Sequence, residues 1–138
     1  MGKRRRSREF SLQVLYQIEI TKQNALQAMV QLRENISPEG GEGEFAKRIV
    51  LGVMEHRQEI DRLIEERSEN WRLDRMTMID RNILRIAIFE LLYCSEVPPK
   101  VTLNEAIDLG KRFGSEESGS FINGVLDRIQ NEVIRKPL

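Results

Sequence analysis

"IDRNILRIAIFELLY" (Ile79–Tyr93) decides the fold. A helix on a protein surface carries one apolar stripe, and a half-buried strand alternates apolar with polar residues. This stretch does neither. Wound at 3.6 residues per turn, Ile79, Ile83, Leu84, Ile86, Ala87, Ile88, Phe89 and Leu91 cover nearly every side. A helix apolar all round is one enclosed by others. No run in the chain reaches the roughly 20 apolar residues of a membrane span, so the enclosing neighbours must be protein.

The flanking sequence supplies those neighbours. After the central helix, "EVPPK" (Glu96–Lys100) stops it, because Pro98 and Pro99 cannot continue a helix interior. "TLNE" (Thr102–Glu105) reads as a capping box that starts the next helix, and Gly114 as its left-handed terminator. In the last helix Ile122, Val125, Leu126, Ile129 and Val133 form a core stripe. Upstream, Phe45, Ile49, Val53, Ile60 and Ile64 keep helical spacing from Phe45 to about Asn70, as one long helix would. A short helix covers Ala25–Arg33, before "SPEGGEGE" (Ser37–Glu44) breaks the pattern. From Ser7 to Thr21 there are two apolar rows: Phe10, Val14 and Ile18 with Leu15 beside them, and Leu12, Tyr16 and Ile20. With no strand pattern and no repeat, the fold class is all-α, a bundle of about six or seven helices in two subdomains. Trp71, in a short polar connection, sets the expected boundary. It separates an N-terminal helical subdomain with an arginine-rich head, 1–70, from a C-terminal one, 71–138.

Composition narrows the function. Of 138 residues, 40% are apolar and 32% charged, the balance of a globular protein rather than a disordered one. The basic N-terminus is followed by an amphipathic stretch, not by a short apolar segment with a cleavage site, so no secretory signal is read. Cys94 is the single cysteine, which rules out an internal disulfide. These features point to the cytoplasm and away from a membrane. His56 is the single histidine, beside Glu55, and no metal-ligand spacing surrounds it. "GSEESGS" (Gly114–Ser120) has the glycine spacing of a phosphate loop, but Ser120 stands where the lysine is required and no strand precedes it. No nucleophile has a base at recognisable spacing. The expectation is a non-enzyme with neither cofactor nor metal.

Charge distribution is more telling. The chain has 22 basic and 22 acidic residues, yet Lys3, Arg4, Arg5, Arg6 and Arg8 put five positive charges at one end of an otherwise acidic chain. Arginine's planar fork fits phosphate and stacks on unpaired bases, so the head reads either as a solvated terminus or as an RNA-binding segment that orders on binding. Arg81 and Arg85 sit one turn apart on the buried helix, a like-charge pairing that either intramolecular carboxylates such as Asp80 or an acidic ligand must offset. Gly124 lies inside a helix, where glycine costs roughly 1 kcal/mol relative to alanine. A close helix–helix contact would account for it. Phe121 flanks the last core stripe and could cap the core or offer a stacking platform.

"RRRSREFSLQVLYQ", "ILRIAIFEL", "VPPKVTLNEAIDLGKRFG" and "FINGVLD" together resemble the NusB family of bacterial transcription antitermination factors. The segments occur in the family's order and cover both ends and most of the second half of the chain. The resemblance implies an all-helical protein that binds the single-stranded boxA element of nascent ribosomal RNA transcripts. It would do so with the small-subunit ribosomal protein that doubles as NusE, in an antitermination complex with RNA polymerase. A homodimer could occupy the waiting protein face in the free state. By position, Arg4, Arg5, Arg6 and Arg8 match the family's RNA-binding head, with Lys3 continuing it, and Phe121 matches an aromatic on the RNA face. Tyr16 and Asp80 match positions at the ribosomal-protein interface. Two departures stand out: Ser120 replaces a frequent lysine, and Asp80 a frequent glutamate, shortening the acidic arm.

Two other classes compete. Certain ribosomal RNA cytosine methyltransferases begin with a similar helical domain and continue into a further α/β domain; that reading requires this sequence to be a fragment, which the length of the native open reading frame would decide. A helical scaffold binding protein alone would show no RNA affinity.

Overall fold

The computed structural model describes residues 2–35, 43–68 and 72–134, and these residues contain seven α-helices and no strand. They fall into two compact units, Met1–Glu55 and His56–Leu138. The division comes earlier than the Trp71 boundary read from the sequence; Trp71 itself, like most of "SPEGGEGE", lies outside the described residues.

The first unit holds α1 (Lys3–Thr21), α2 (Ala25–Asn35) and α3 (Gly43–Glu55). The expected row of Phe10, Val14, Leu15 and Ile18 is buried, together with Ala28 of α2 and Ala46, Ile49, Val50 and Val53 of α3. The second row divides: Leu12 is buried, whereas Tyr16 is 38% and Ile20 54% exposed. Helix α1 begins at Lys3, a full turn before the expected start at Ser7. Arginine and lysine are good helix formers, and Ser7 ties the added turn by donating its hydroxyl to the Lys3 carbonyl at 3.0 Å. The basic head is therefore already helical. At the other end Lys22 takes the left-handed conformation (φ 62°) and its N–H closes on the Ile18 carbonyl at 2.8 Å.

The second unit holds α4 (Arg57–Arg67), a 3-10 turn (Leu73–Arg75), α5 (Met78–Tyr93), α6 (Pro99–Phe113), α7 (Ser118–Ile129) and a π turn (Gln130–Ile134). Helix α5 is its axis: every residue from Asn82 to Glu90 is buried. Thr77 caps it, accepting the Asp80 N–H at 3.0 Å. Ile60 and Ile64 bring α4 into this core, which is why the compact unit starts at His56.

Four local readings change. The Phe45–Asn70 helix is two helices, α3 and α4, parted at His56 (φ −105°, ψ 20°). Helix α6 starts at Pro99, not Thr102, because proline suits a first turn whose N–H groups have no partner. Thr102 is not a cap; its hydroxyl donates to the buried Glu90 carboxylate at 3.0 Å. Gly114 is extended (φ −98°, ψ −160°) rather than left-handed, and glycine is needed there because a Cβ would collide with the Ser118 side chain. Gly124 is exposed with nothing within 4 Å of an added Cβ; the glycine that does serve close helix packing is Gly110, whose Cβ would lie 2.8 Å from Ile122 Cδ1. The side chain of Val133 lies outside the described residues.

Candidate functional site

Three features carry the chemistry, two in the first unit and one in the second. The head occupies the first turns of α1. Lys3, Arg4 and Arg6 are exposed, Arg5 is half-buried, and Arg8 is only 4% exposed. Side chains at i and i+4 lie one above the other on a helix, which aligns Arg4 with Arg8. Both reach over the ring of Phe45, near the start of α3. The Arg4 guanidinium carbon lies 4.2 Å from the ring centroid and that of Arg8 5.4 Å. The ring's negative face offsets the repulsion between two like charges. Arg8 is thus buried within the unit, whereas Lys3, Arg4 and Arg6 of the same run are exposed. The sequence marks Phe45 only as an apolar helix residue, because its pairing with Arg4 spans 41 positions of chain and no local pattern reports such a contact.

The second feature is apolar. Tyr16 and Ile20 on α1 are joined by Leu26 (55% exposed) and Val30 (58%) on α2. Each pair is four residues apart, so each helix turns a short apolar ridge outward. Gln17, Gln23 and Gln31 hydrogen-bond to one another alongside, at 2.7–3.1 Å. Leu26 and Val30 could have been suspected from their helical spacing alone, but only their exposure distinguishes them from core residues.

In the second unit, Arg75, Met76, Thr77, Asp80, Ser115, Glu117 and Phe121 line a concavity of about 330 Å³. Phe121 is half-buried at its wall. Asp80 is 9% exposed, and its Oδ1 accepts the Ser118 hydroxyl at 2.7 Å. Ser118 Oγ also accepts the Ser115 N–H at 2.9 Å, so one carboxylate joins the first turn of α5 to the turn before α7. An acid in the first turn of α5 further complements the positive end of the helix dipole. Asp80 and Phe121, read from the sequence as belonging to different faces, line the same hollow. Ser118 was not singled out; a serine at a helix start is too common a signal.

The two arginines of α5 part company. Arg85 is 2% exposed, its Nε and Nη2 pair with Asp61 at 2.8 and 3.2 Å, and its Nη1 donates to Asn82 at 2.9 Å. The intramolecular carboxylate expected to offset one of the two charges is therefore present for Arg85, and it is Asp61 on α4. Arg81 is half-buried, with Nη1 donating to the Met76 carbonyl at 2.7 Å. Near the unit's start, His56 stacks on Tyr93 (centroids 4.1 Å apart) and Tyr93 donates to Glu59 at 2.6 Å. Among the described residues no group of three or more His, Cys, Asp or Glu could hold a metal, and no helix is long and apolar enough to cross a membrane.

Comparison with known proteins places these features in context. Residues 5–131 match the model of the NusB family. The transcription antitermination protein NusB of Myxococcus xanthus strain DK1622 is 51% identical over 133 residues, which cover 94% of this chain and 95% of that protein. The protein of the same name from Desulfatibacillum aliphaticivorans is 49% identical, covering 94% and 90%. Among solved structures, T. maritima NusB superposes with a TM-score of 0.85 at 37% identity, over 97% of this chain and 94% of that one. A crystal structure of the antitermination factors NusB and NusE in complex with dsRNA gives a TM-score of 0.83 at 30% identity, over 95% and 98%.

Proposed function

The chain belongs to the NusB family, and on that premise we propose that it is a non-catalytic, cytoplasmic transcription antitermination factor. It binds the single-stranded boxA element of nascent ribosomal RNA transcripts together with the ribosomal protein NusE. In the antitermination complex with RNA polymerase it supports transcription of ribosomal RNA operons. The observation that carries the RNA half of this reading is the preformed helix that exposes Lys3, Arg4 and Arg6. Fixing cations in a helix before binding lowers the ordering cost a disordered arm would incur. Phe121 adds a stacking surface of the kind that single-stranded bases use. The outward ridge of Tyr16, Ile20, Leu26 and Val30 suits a protein partner, and a second copy of the chain could cover it when NusE is absent. The solved NusB and NusE pair with RNA, 30% identical to this chain, supports both partner classes.

The test is binding of a boxA-like single-stranded RNA against a scrambled control, with and without NusE. The boxA-like RNA should bind more tightly, and NusE should raise its affinity by about 1–3 kcal/mol, a coupling that linkage makes reciprocal. Replacing Lys3, Arg4 and Arg6 together by alanine should reduce the slope of log K against log salt by up to about 2, at about 0.7 per lost phosphate contact. Equal affinity for the two RNAs combined with an unchanged slope would refute the proposal.

A further inference from the structure

In the second unit one buried carboxylate is only partly used. Asp80 is 9% exposed and lines the hollow of about 330 Å³. Its Oδ1 accepts the Ser118 hydroxyl at 2.7 Å, and no described residue donates to its Oδ2. A carboxylate offers about four lone-pair sites, and an acceptor this far from bulk water calls for a donor. Met76, which is buried, and half-buried Phe121 give the hollow apolar walls. Arg75 and Glu117 line it as well and are exposed, and Arg75 forms no ion pair with a described residue. The volume lies at the low end of the roughly 300–1,000 Å³ of ligand pockets, enough for one planar ring system and too little for a folded segment.

We propose that this hollow takes one unpaired guanine of the RNA, with the Asp80 carboxylate accepting from the base's N1–H and N2–H and Arg75 meeting the attached phosphate. This rests on the reading that the chain binds single-stranded RNA. Proteins read such RNA by splaying out unpaired bases and hydrogen-bonding their Watson–Crick edges. Guanine alone among the four bases has two adjacent donors on that edge. Adenine and cytosine place a donor beside an acceptor, and uracil places its one donor between two carbonyls. Each of these would set a lone pair against the Asp80 carboxylate, and Glu117 adds a second carboxylate that favours donors. A basic side chain from a protein partner also donates, but it would bring a second cation to Arg75. A guanine nucleotide brings donors on its base and a negative charge on its phosphate, which suits a buried carboxylate beside an exposed arginine.

The first test changes only the RNA and is made without NusE. The guanines of a boxA-like single-stranded RNA are replaced one at a time. At one position adenine should weaken binding by about five- to 150-fold, the span of one bidentate base contact. Inosine, which lacks only the N2 amino group, should weaken it there by less. Asp80→Asn keeps an acceptor for Ser118 but turns one oxygen into a donor, so guanine and adenine at that position should then bind within about twofold of each other. A carboxylate that only ties α5 to α7 would change affinity for both RNAs alike. Arg75→Ala should weaken both RNAs and lower the salt slope by up to about 0.7 while leaving the base preference intact. The assignment is overturned if no guanine is preferred, if the preference survives Asp80→Asn in the folded protein, or if Arg75→Ala leaves the slope unmoved. It is overturned too if Asp80→Asn weakens NusE binding alone, the result expected of a hollow for a partner's basic side chain. In each case the RNA reading stands so long as alanine at Lys3, Arg4 and Arg6 flattens the salt slope. If that slope is unchanged and boxA-like RNA binds no better than a scrambled one, the RNA reading fails and the guanine site fails with it.

Discussion

Replacing Asp80 by lysine should unfold part of what it touches before it disturbs any partner. The carboxylate is 9% exposed and accepts the Ser118 hydroxyl at 2.7 Å. A hydrogen bond to a charged group contributes about 1.5–3 kcal/mol. Asp80 also lies in the first turn of α5, where an acid gains about 0.3–1 kcal/mol from the helix dipole, and a lysine would lose a similar amount. The two effects together cost roughly 2–5 kcal/mol. The lysine avoids a larger charge-burial penalty because the adjoining hollow of about 330 Å³ lets its amine reach water. For a chain of this length each kcal/mol moves the melting midpoint by roughly 3–5 °C, so Asp80→Lys should lower it by roughly 6–25 °C. Circular dichroism melts give that number directly. A double-mutant cycle of Asp80→Ala and Ser118→Ala isolates the contact and should show a coupling of about 1–2 kcal/mol. Asp80→Asn keeps an acceptor for Ser118 and should melt within a few degrees of the parent, leaving a folded protein on which partner affinity can be measured. A melt unchanged by Asp80→Lys, with additivity in the cycle, would show that the carboxylate does not hold α5 to α7.

Other substitutions probe the remaining assignments. Phe121→Ala should weaken RNA binding by about 1–3 kcal/mol through lost stacking; a large fall in stability with unchanged RNA affinity of the folded fraction would make Phe121 a core residue instead. Asp61→Ala leaves Arg85 charged and buried without its carboxylate, and should cost about 3–5 kcal/mol in chemical denaturation while RNA affinity stays level. Gly124→Ala adds a methyl group into open space on an exposed helix face and should stabilise the protein by about 0.5–1 kcal/mol in the same assay. Should it do so and weaken RNA or NusE binding, the glycine is kept for a close approach by that ligand.

The all-α class and the enclosed central helix were legible in the sequence because each depends on helical periodicity, and the membership of the family because it depends on motif segments in a fixed order. Helical periodicity is a local property: the row of Phe10, Val14 and Ile18 and the stripe of Ile122, Val125, Leu126 and Ile129 are buried as their spacing requires. Helix ends were less legible. Pro98, Pro99, Thr102 and Gly114 each permit several local geometries: proline's fit to a first turn set the start of α6, Thr102 turned to Glu90 across the helix pair, and the Ser118 side chain leaves room only for glycine at 114. The roles of single charged residues were decided by tertiary structure. Four arginines in one run look equivalent as sequence, yet the turn of α1 against α3 buries Arg8, lays Arg4 on Phe45 and leaves Arg6 in solvent. Arg81 and Arg85 differ in the same way, since Asp61 on α4 lies within reach of Arg85. A charge acquires its function from what faces it across the fold, and the electrostatic partner of a side chain is fixed by packing between helices that no pattern along one helix records.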